Sequence, residues 1–400
     1  MGSIVKSDKF RWFILIIVPV IYMNFYWYVG FNQSVIKMGI FVLSVLLLTR
    51  YFKEIFQKKS NTNDFSVFFK WFIIIILITH LTAYFVWEQS PILTFRATAT
   101  MFALLYYYVL KEQKVTKEEL IKIITSFAVT YVILWLFAVS QAPSVVFGQL
   151  DEINDNRGFF RVVGLPGLML LLLFYFYALY KATSTSIINI KWTTLCVLSL
   201  IVVVLSLTRT IIIASLLITA IFLFRKRPLF VFVCSAVLYF GGEKLLRSND
   251  VTSSLIELTE EQNEYAGKGE LSARNEEYSL CFDFFPLHPI TTLFGNGVSH
   301  KESEYGQRDE YLKEVYRFHR SDAGYVSLLI TYGLLGLILY IWLLYKTYKM
   351  KVNKEFFFFK LFMFAFFIVN FTGDYYLKDA IPFILAVYGL ELGIKQKKEI

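Results

Sequence analysis

The residues of this chain best suited to chemistry are nine arginines that fall between apolar segments on one side of a predicted membrane protein. They are Arg96, Arg157, Arg161, Arg209, Arg247, Arg274, Arg308, Arg317 and Arg320. A guanidinium binds phosphate oxygens through a planar fork of donors, whereas a lysine ammonium acts as a hydrated point charge. The pattern therefore predicts a site that binds a diphosphate near the outer membrane surface. The residues expected to form it are Arg157, Arg161, Arg209 and Arg274.

Ion pairing is the alternative explanation for these arginines, because the polar segment 243–320 also contains many Glu and Asp residues. Pairing is the favoured interpretation for Arg247 and Arg308. Phosphate binding is favoured for Arg161 and Arg209, which have no obvious acidic neighbour in the sequence.

A second candidate lies where this polar segment re-enters the membrane, at His319, Arg320 and Asp322. A histidine and a carboxylate three residues apart can share a helical face and supply a general base. The alternative is capping of the tenth predicted span, since a side-chain oxygen of Ser321 or Asp322 can accept from a backbone amide there. Both can hold together, and the sequence leaves open whether His319 or Asp322 is the base.

The remaining reactive side chains give no cofactor signal. The 4 His and 3 Cys residues show no metal-ligand spacing, and no phosphate-binding loop or nucleophile motif occurs. The sequence therefore predicts a metal-independent reaction without a cofactor.

The composition is that of a polytopic, all-α membrane protein. Hydrophobic residues make up 56% of the chain, and its mean hydropathy is +0.55. Lysine-rich short loops alternate with the arginine-bearing ones, so both termini are expected in the cytoplasm. The net charge of +9 follows from these loops and does not indicate nucleic-acid binding. About twelve spans of near 20 residues are predicted: 12–29, 34–49, 71–87, 92–110, 121–139, 163–180, 192–207, 210–224, 228–242, 322–345, 356–372 and 378–394.

The spans divide the chain into three parts: helices one to nine over 1–242, a large outer loop with amphipathic helices over 243–321, and helices ten to twelve with a tail over 322–400. The two spans that flank Arg209 are short, so its turn should lie beneath the outer surface. A cation there needs a polar cavity or an anion. Arg96 lies similarly, about one turn below the end of its span.

Several short motifs in this order resemble the O-antigen polymerase and ligase superfamily of bacterial envelopes. A sunken Thr208-Arg209-Thr210 turn precedes a large outer loop that contains Ala273-Arg274 and Phe294-Gly295-Asn296-Gly297. The loop ends in His319-Arg320-Ser321-Asp322-Ala323-Gly324-Tyr325, and Gly333-x-x-Gly336 follows. The glycine pair is expected to allow close helix packing. The resemblance covers roughly residues 157–336.

The resemblance implies a GT-C-like helical fold and a glycosyltransferase that uses sugars carried on undecaprenyl diphosphate. It implies that Arg161 and Arg209 hold the diphosphate leaving group. It leaves open whether His319 or Asp322 is the base. The expected reaction uses Asp322, aided by His319, as the base, and Arg274 and Arg157 to position the substrate. Arg96 and Arg320 are further predicted substrate-binding residues.

The stretch Ser321-Asp322-Ala323-Gly324-Tyr325 resembles polymerases more than ligases, which place His-Asn at this point. The expected function is polymerisation of lipid-linked repeat units at the outer face of the plasma membrane, with a chain-length regulator as a candidate partner. A ligase is the alternative. A flippase of lipid-linked sugars is less favoured, because the arginines lie on one face and no internal repeat occurs.

Overall fold

The computed structural model describes most of the helical part of the chain. The described residues are 8–25, 33–56, 65–141, 144, 146–147, 149–150, 162–163, 165–184, 189–206, 208–226, 228, 279, 281–285, 288–316, 320 and 324–398. These residues are helical apart from loops, turns and one antiparallel pair of two-residue strands, β1 Gln149–Leu150 and β2 Val162–Val163.

Fifteen α-helices follow one another along the described residues, and two 3₁₀ segments interrupt or precede them. The α-helices are α1 Asp8–Tyr22, α2 Gln33–Phe56, α3 Ser66–Trp87, α4 Pro91–Thr98, α5 Tyr106–Glu112, α6 Lys117–Ser140, α7 Leu168–Thr183, α8 Ile190–Leu205, α9 Arg209–Lys226, α10 Pro289–Phe294, α11 Glu304–Tyr316, α12 Gly324–Lys349, α13 Phe357–Val369, α14 Tyr375–Lys378 and α15 Ala380–Lys398. The 3₁₀ segments are Ala99–Leu105, which joins α4 to α5, and Lys354–Phe356.

Five helical segments among the described residues are long and apolar enough to cross a membrane. They are Val35–Phe56, Ser66–Trp87, Pro91–Glu112, Lys117–Ser140 and Gly324–Lys349. Shorter apolar helices include Leu168–Thr183, Ile190–Leu205 and Ala380–Ile394. Every predicted span except the ninth overlaps a helix, and the ninth, 228–242, lies beyond the described residues after position 228. The structure thus supports a polytopic helical protein, while the number of crossings stays a prediction.

The core surrounds α7, whose residues from Met169 to Leu179 are all buried. A helix that is apolar all round must be enclosed by other helices, and α7 packs against α6, α8 and α13. Aromatic rings fill the space between helices, as in the stacked pair Phe69 and Tyr107, whose ring centroids are 4.2 Å apart. The polar turn before α9 therefore sits at the end of a rigid bundle.

The described part of the large loop builds a second, smaller core. Cys281, Phe285, Tyr305 and Leu312 are buried together against Ile330 of α12. The described loop residues, 281–285 and 288–316, are therefore packed onto the bundle. The predicted segment 243–278 lies outside the described residues, so the full extent of the loop stays a prediction.

Candidate functional site

The predicted site residues are divided between the described and the masked parts of the chain. Arg157, Arg161, Arg274, His319 and Asp322 lie outside the described residues. The structure places the other three predicted residues, Arg96, Arg209 and Arg320. The roles assigned to all eight stay predictions.

Arg209 is the first residue of α9. The depth of its turn in the membrane stays a prediction. The Arg209 side chain is exposed, and the preceding Thr208 carbonyl accepts the hydrogen bond from Ile212 N at 3.1 Å. The backbone amides of the first helical turn have no acceptor within their own helix, and the helix dipole adds positive potential there. The start of α9 therefore presents both a guanidinium and backbone donors to an anion.

A short turn between α13 and α14 fixes this end of α9. The hydroxyl oxygens of Thr210 and Thr372 are 2.6 Å apart. Within the turn, the Asn370 side chain accepts a hydrogen bond from Tyr376 N at 2.9 Å and donates to the Tyr340 hydroxyl at 3.0 Å. Asn370 is fully buried, so the turn is held from inside the bundle.

The start of α12 meets the same turn. A Cβ atom on Gly324 would lie 2.4 Å from the carbonyl oxygens of both Asn370 and Phe371, and the φ angle of Gly324 is +50°. Only glycine tolerates both this approach and this backbone conformation without strain. We call this meeting point of residues 209–210, 324–325 and 370–374 the arginine corner. Asp322 precedes its glycine by two positions.

Arg320 lies in a buried polar cluster beneath the outer loop. Its Nη1 donates to the Tyr305 hydroxyl at 3.0 Å, and its Nη2 is 3.6 Å from an Asp309 carboxylate oxygen. The Arg320 side chain is 15% exposed and that of Asp309 is 13% exposed. Burial acts to lower the pKa of Arg320, but Asp309 and Tyr305 together raise it, so the guanidinium stays charged. Burial raises the pKa of Tyr305 to about 12, so its phenol stays neutral.

This cluster continues toward the arginine corner. The phenols of Tyr332 and Tyr376 lie close enough to Arg320 and to Asp374 to interact electrostatically with both charged groups. Tyr332 is fully buried, and its hydroxyl has no hydrogen-bond partner in the part of the chain that the structure describes. A buried polar atom without a partner is unfavourable unless a ligand or water satisfies it.

The Phe294-Gly295-Asn296-Gly297 motif docks into a break in α12. Gly333 has φ +68° and ψ −173° inside this helix, which frees carbonyl groups of the preceding turn. Asn296 N donates to Ile330 O at 2.8 Å, and Gly297 N donates to Thr331 O at 3.0 Å. Two backbone amides of the loop thus donate to helix carbonyls that lack their usual helical partners at the break. Gly333 allows close packing, as expected, and its neighbour is the end of α10: a Cβ atom on Gly333 would lie 2.4 Å from Leu293 O and 2.5 Å from Gly295 N.

A buried glutamine clamps the other side of the same loop. Gln89 is 1% exposed, and its amide nitrogen donates to Thr94 Oγ1 at 3.0 Å and to Val298 O at 2.9 Å. Its amide oxygen accepts from His300 N at 2.8 Å and Ser303 Oγ at 2.7 Å. All four hydrogen-bonding positions of the side chain are used. The loop from 295 to 303 is therefore fixed between α12 and the start of α4.

Residues 194–341 match the family model described as O-antigen ligase. The match supports the resemblance of this stretch to the O-antigen polymerase and ligase superfamily. The match supports a multi-pass membrane enzyme of the glycosyltransferase type that acts in glycan assembly. No curated protein matches the chain.

The superfamily stretch contains some predicted site residues and not others. It includes Arg209, Arg320 and the docked glycine motif, and its masked part includes Arg274, His319 and Asp322. It leaves out Arg96, Arg157 and Arg161, and also Asp374. The arginine corner thus joins the superfamily stretch to a turn that follows it in the chain.

The ion-pair interpretation describes two of the predicted site arginines, Arg320 beside Asp309 and Arg96 beside Glu302. Arg96 Nη1 is 3.3 Å from Glu302, and both side chains are about half exposed at 49% and 53%. Such exposed pairs contribute little stability. Arg308, for which ion pairing was expected, instead donates to Phe284 O at 3.1 Å and lies 5.4 Å from the Trp87 ring centroid.

Sequence reasoning missed the acidic and aromatic partners of this site. Asp309 was one of many loop acids, and nothing in its neighbours marks it as the partner of Arg320. Asp374 offered a better signal, since it is a carboxylate at the predicted outer end of an apolar span. Tyr332 and Tyr376 are hidden among the 26 Tyr residues of the chain.

Proposed function

We propose that this protein is a polysaccharide polymerase that joins oligosaccharide repeat units carried on undecaprenyl diphosphate. The reaction would take place at the outer face of a bacterial plasma membrane, with both termini of the chain in the cytoplasm. The observation that carries the proposal is the arginine corner. There, exposed Arg209 starts a helix whose next residue, Thr210, contacts the turn that packs on Gly324. Arg209 and Gly324 both lie within the matched superfamily stretch.

The chemistry follows from the charges that change during transfer. A sugar hydroxyl of the acceptor unit attacks the anomeric carbon of the donor, and the bond from that carbon to the diphosphate oxygen breaks. The hydroxyl proton passes to a base, for which Asp322 is proposed, with His319 as the alternative. The lipid diphosphate leaves with the bonding electrons and gains negative charge.

Arg209 and the amides at the start of α9 would stabilise that developing charge. Donors fixed before the reaction contribute most where charge appears only in the transition state. Arg161 is proposed to share this role, and Arg274, Arg157, Arg96 and Arg320 to position the substrate. No metal and no cofactor are required by this scheme.

Asp374, Tyr332 and the Arg320 cluster extend the proposed site on the sugar side. Carboxylates and phenols are suited to hydrogen-bond sugar hydroxyls. The lone Tyr332 hydroxyl is a group that a substrate or a water molecule would satisfy. A separate protein that regulates chain length is proposed as a partner.

Glycan ligation is the second candidate function, and the name of the matched family model favours it. A ligase would use the same donor and leaving group but transfer a finished glycan once to a lipid or protein acceptor. The two functions therefore differ in product and not in the arginine corner.

The proposal is tested with purified protein, a lipid-linked repeat unit and EDTA, with products separated by size. The expected result is a ladder of chain lengths that is lost with Arg209→Ala and kept with Arg50→Ala. Arg50 is a matched control because it is an exposed arginine on α2, paired with Glu112. A single transfer product would replace polymerase by ligase. Two results would overturn the proposed mechanism. One is activity that EDTA abolishes and a divalent cation restores, and the other is an intact ladder with Arg209→Ala.

A further inference from the structure

A long apolar groove lies between α9, α12 and α13, outside the polar cluster. Its volume is about 1030 Å³. Its walls include Ile218, Leu337, Ile341, Leu361 and Phe364. It begins at Tyr325 and Phe371 beside the arginine corner and extends toward the opposite ends of these helices.

Four cations surround the far end of this groove: Arg225, Lys349, Lys351 and Lys360. None of the side chains that line the groove is acidic. No ion pair found among the described residues involves any of the four. This end of the groove therefore combines an apolar trough with concentrated positive charge.

Helix-end electrostatics explain only some of these charges. Arg225 and Lys349 lie in the last turns of α9 and α12, where a cation is favoured by the helix dipole. Lys360 lies in the first turn of α13, where the dipole disfavours it. Its ammonium donates to Tyr348 O at 2.7 Å and Met350 O at 2.9 Å, which fixes a charge at the end of the groove.

We propose that the groove binds an anionic phospholipid. Its phosphate would lie among the four cations, and its acyl chains would follow the apolar walls. Basic pockets between transmembrane helices on the lysine-rich side suit such headgroups, because cations near the membrane surface attract anionic lipids. A polyprenyl chain whose diphosphate lies at the arginine corner fits the walls alone, because the opposite end of that chain carries no charge to meet the cations. The site is independent of the proposed glycosyltransferase reaction.

Native mass spectrometry of the purified, delipidated full chain tests this proposal without any glycan substrate. Phosphatidylglycerol and phosphatidylcholine with identical acyl chains are added separately. We expect the anionic lipid to be retained at least tenfold better. The Arg225→Gln, Lys349→Gln, Lys351→Gln triple variant should lose this preference. A triple variant of exposed Lys53, Lys122 and Lys354 to Gln removes equal charge and should keep it.

Three outcomes would overturn the proposal. One is equal retention of the two phospholipids by the unaltered protein. Another is unchanged retention of phosphatidylglycerol by the groove variant. The third is tighter binding of undecaprenyl phosphate that the groove variant leaves unaffected.

Thiol labelling gives an independent test of where the lipid lies. In a variant with the native cysteines replaced by serine, Ile341→Cys should react with a membrane-soluble maleimide. Phosphatidylglycerol should slow this reaction, and phosphatidylcholine should not. A cysteine at 341 that stays unreactive without lipid would show that the chain itself fills the groove, and the proposal would fall.

Discussion

The guanidinium of Arg320 and the carboxylate of Asp309 are 3.6 Å apart, and each side chain is less than one-sixth exposed. Removal of one member of a buried ion pair leaves the other charge without compensation, which costs about 3 kcal/mol or more. Arg320→Gln should therefore lower the free energy of unfolding by about 3 kcal/mol, measured by denaturant unfolding in detergent micelles.

The partner variant separates charge pairing from packing. Asp309→Asn together with Arg320→Gln leaves no buried charge and should be less destabilised than Arg320→Gln alone. A double variant as unstable as the sum of the two single variants would contradict a direct pair.

The contact between Gly295 and the broken helix makes a second prediction. A Cβ atom on Gly295 would lie 2.2 Å from the Thr331 carbonyl oxygen, and the φ angle of Gly295 is +86°. Gly295→Ala should displace the loop from α12, lower the unfolding temperature and abolish activity. Gly39→Ala is the matched control, because nothing lies within 4 Å of a Cβ atom there. An unfolding temperature that falls equally in both variants would contradict this explanation.

The helices themselves were largely predictable from sequence, because a lipid environment requires long apolar helical segments. The position of Arg209 close to a helix start was predictable from the boundary between two apolar spans at residues 207 and 210. Local sequence patterns do not show which residues far apart in the chain contact one another. The sequence indicates that Gly333 allows close helix packing, but it does not identify Leu293 and Gly295 as the neighbours of this glycine.

The partners of the site arginines were also beyond sequence reasoning. Asp309 precedes Arg320 by eleven positions, and nothing in the spacing selects it from the other acids of the loop. Thr372 reaches Thr210 across more than 160 positions. Such contacts depend on how helices pack, which hydropathy does not encode.

Gln89 gives a third prediction, because one side chain joins α4 to three points of the outer loop. Gln89→Leu removes four hydrogen bonds and leaves buried donors and acceptors without partners, so it should destabilise the protein by about 3 kcal/mol. Hydrogen exchange should rise at the His300 amide, which donates to Gln89 at 2.8 Å. Gln141→Leu alters an exposed glutamine at the end of α6 and should change neither measurement.

The outer loop should also respond to pH through His300. Burial, and next the charge of Arg96, lower the pKa of His300, while Glu302 opposes them. Its Nδ1 accepts from Glu302 N at 3.3 Å, which requires an unprotonated nitrogen. The unfolded chain therefore binds the proton more tightly, and the stability contributed by neutral His300 is present above the unfolded value of 6.5 and lost as the pH falls.

Unfolding temperatures at pH 8 and pH 5.5 measure this effect. His300→Asn should show a smaller fall in unfolding temperature between the two pH values than the unaltered protein. An identical fall in the His300→Asn variant would exclude this residue as the source.

The hydroxyl pair of Thr210 and Thr372 makes the fifth prediction, which concerns the reaction itself. Their oxygens are 2.6 Å apart and join the start of α9 to the α13–α14 turn. If Arg209 acts on the leaving diphosphate, loss of this contact should misplace the guanidinium and lower kcat more than it raises KM. Thr210→Val and Thr372→Val should each reduce kcat, by roughly tenfold for a loss of about 1.4 kcal/mol.

Because the same contact is removed in each single variant, the double variant should have a kcat little lower than either single one. Thr193→Val, at the opposite end of α8, should leave kcat unchanged. Fully additive losses in the double variant would show that the two hydroxyls act separately and that the corner does not position Arg209.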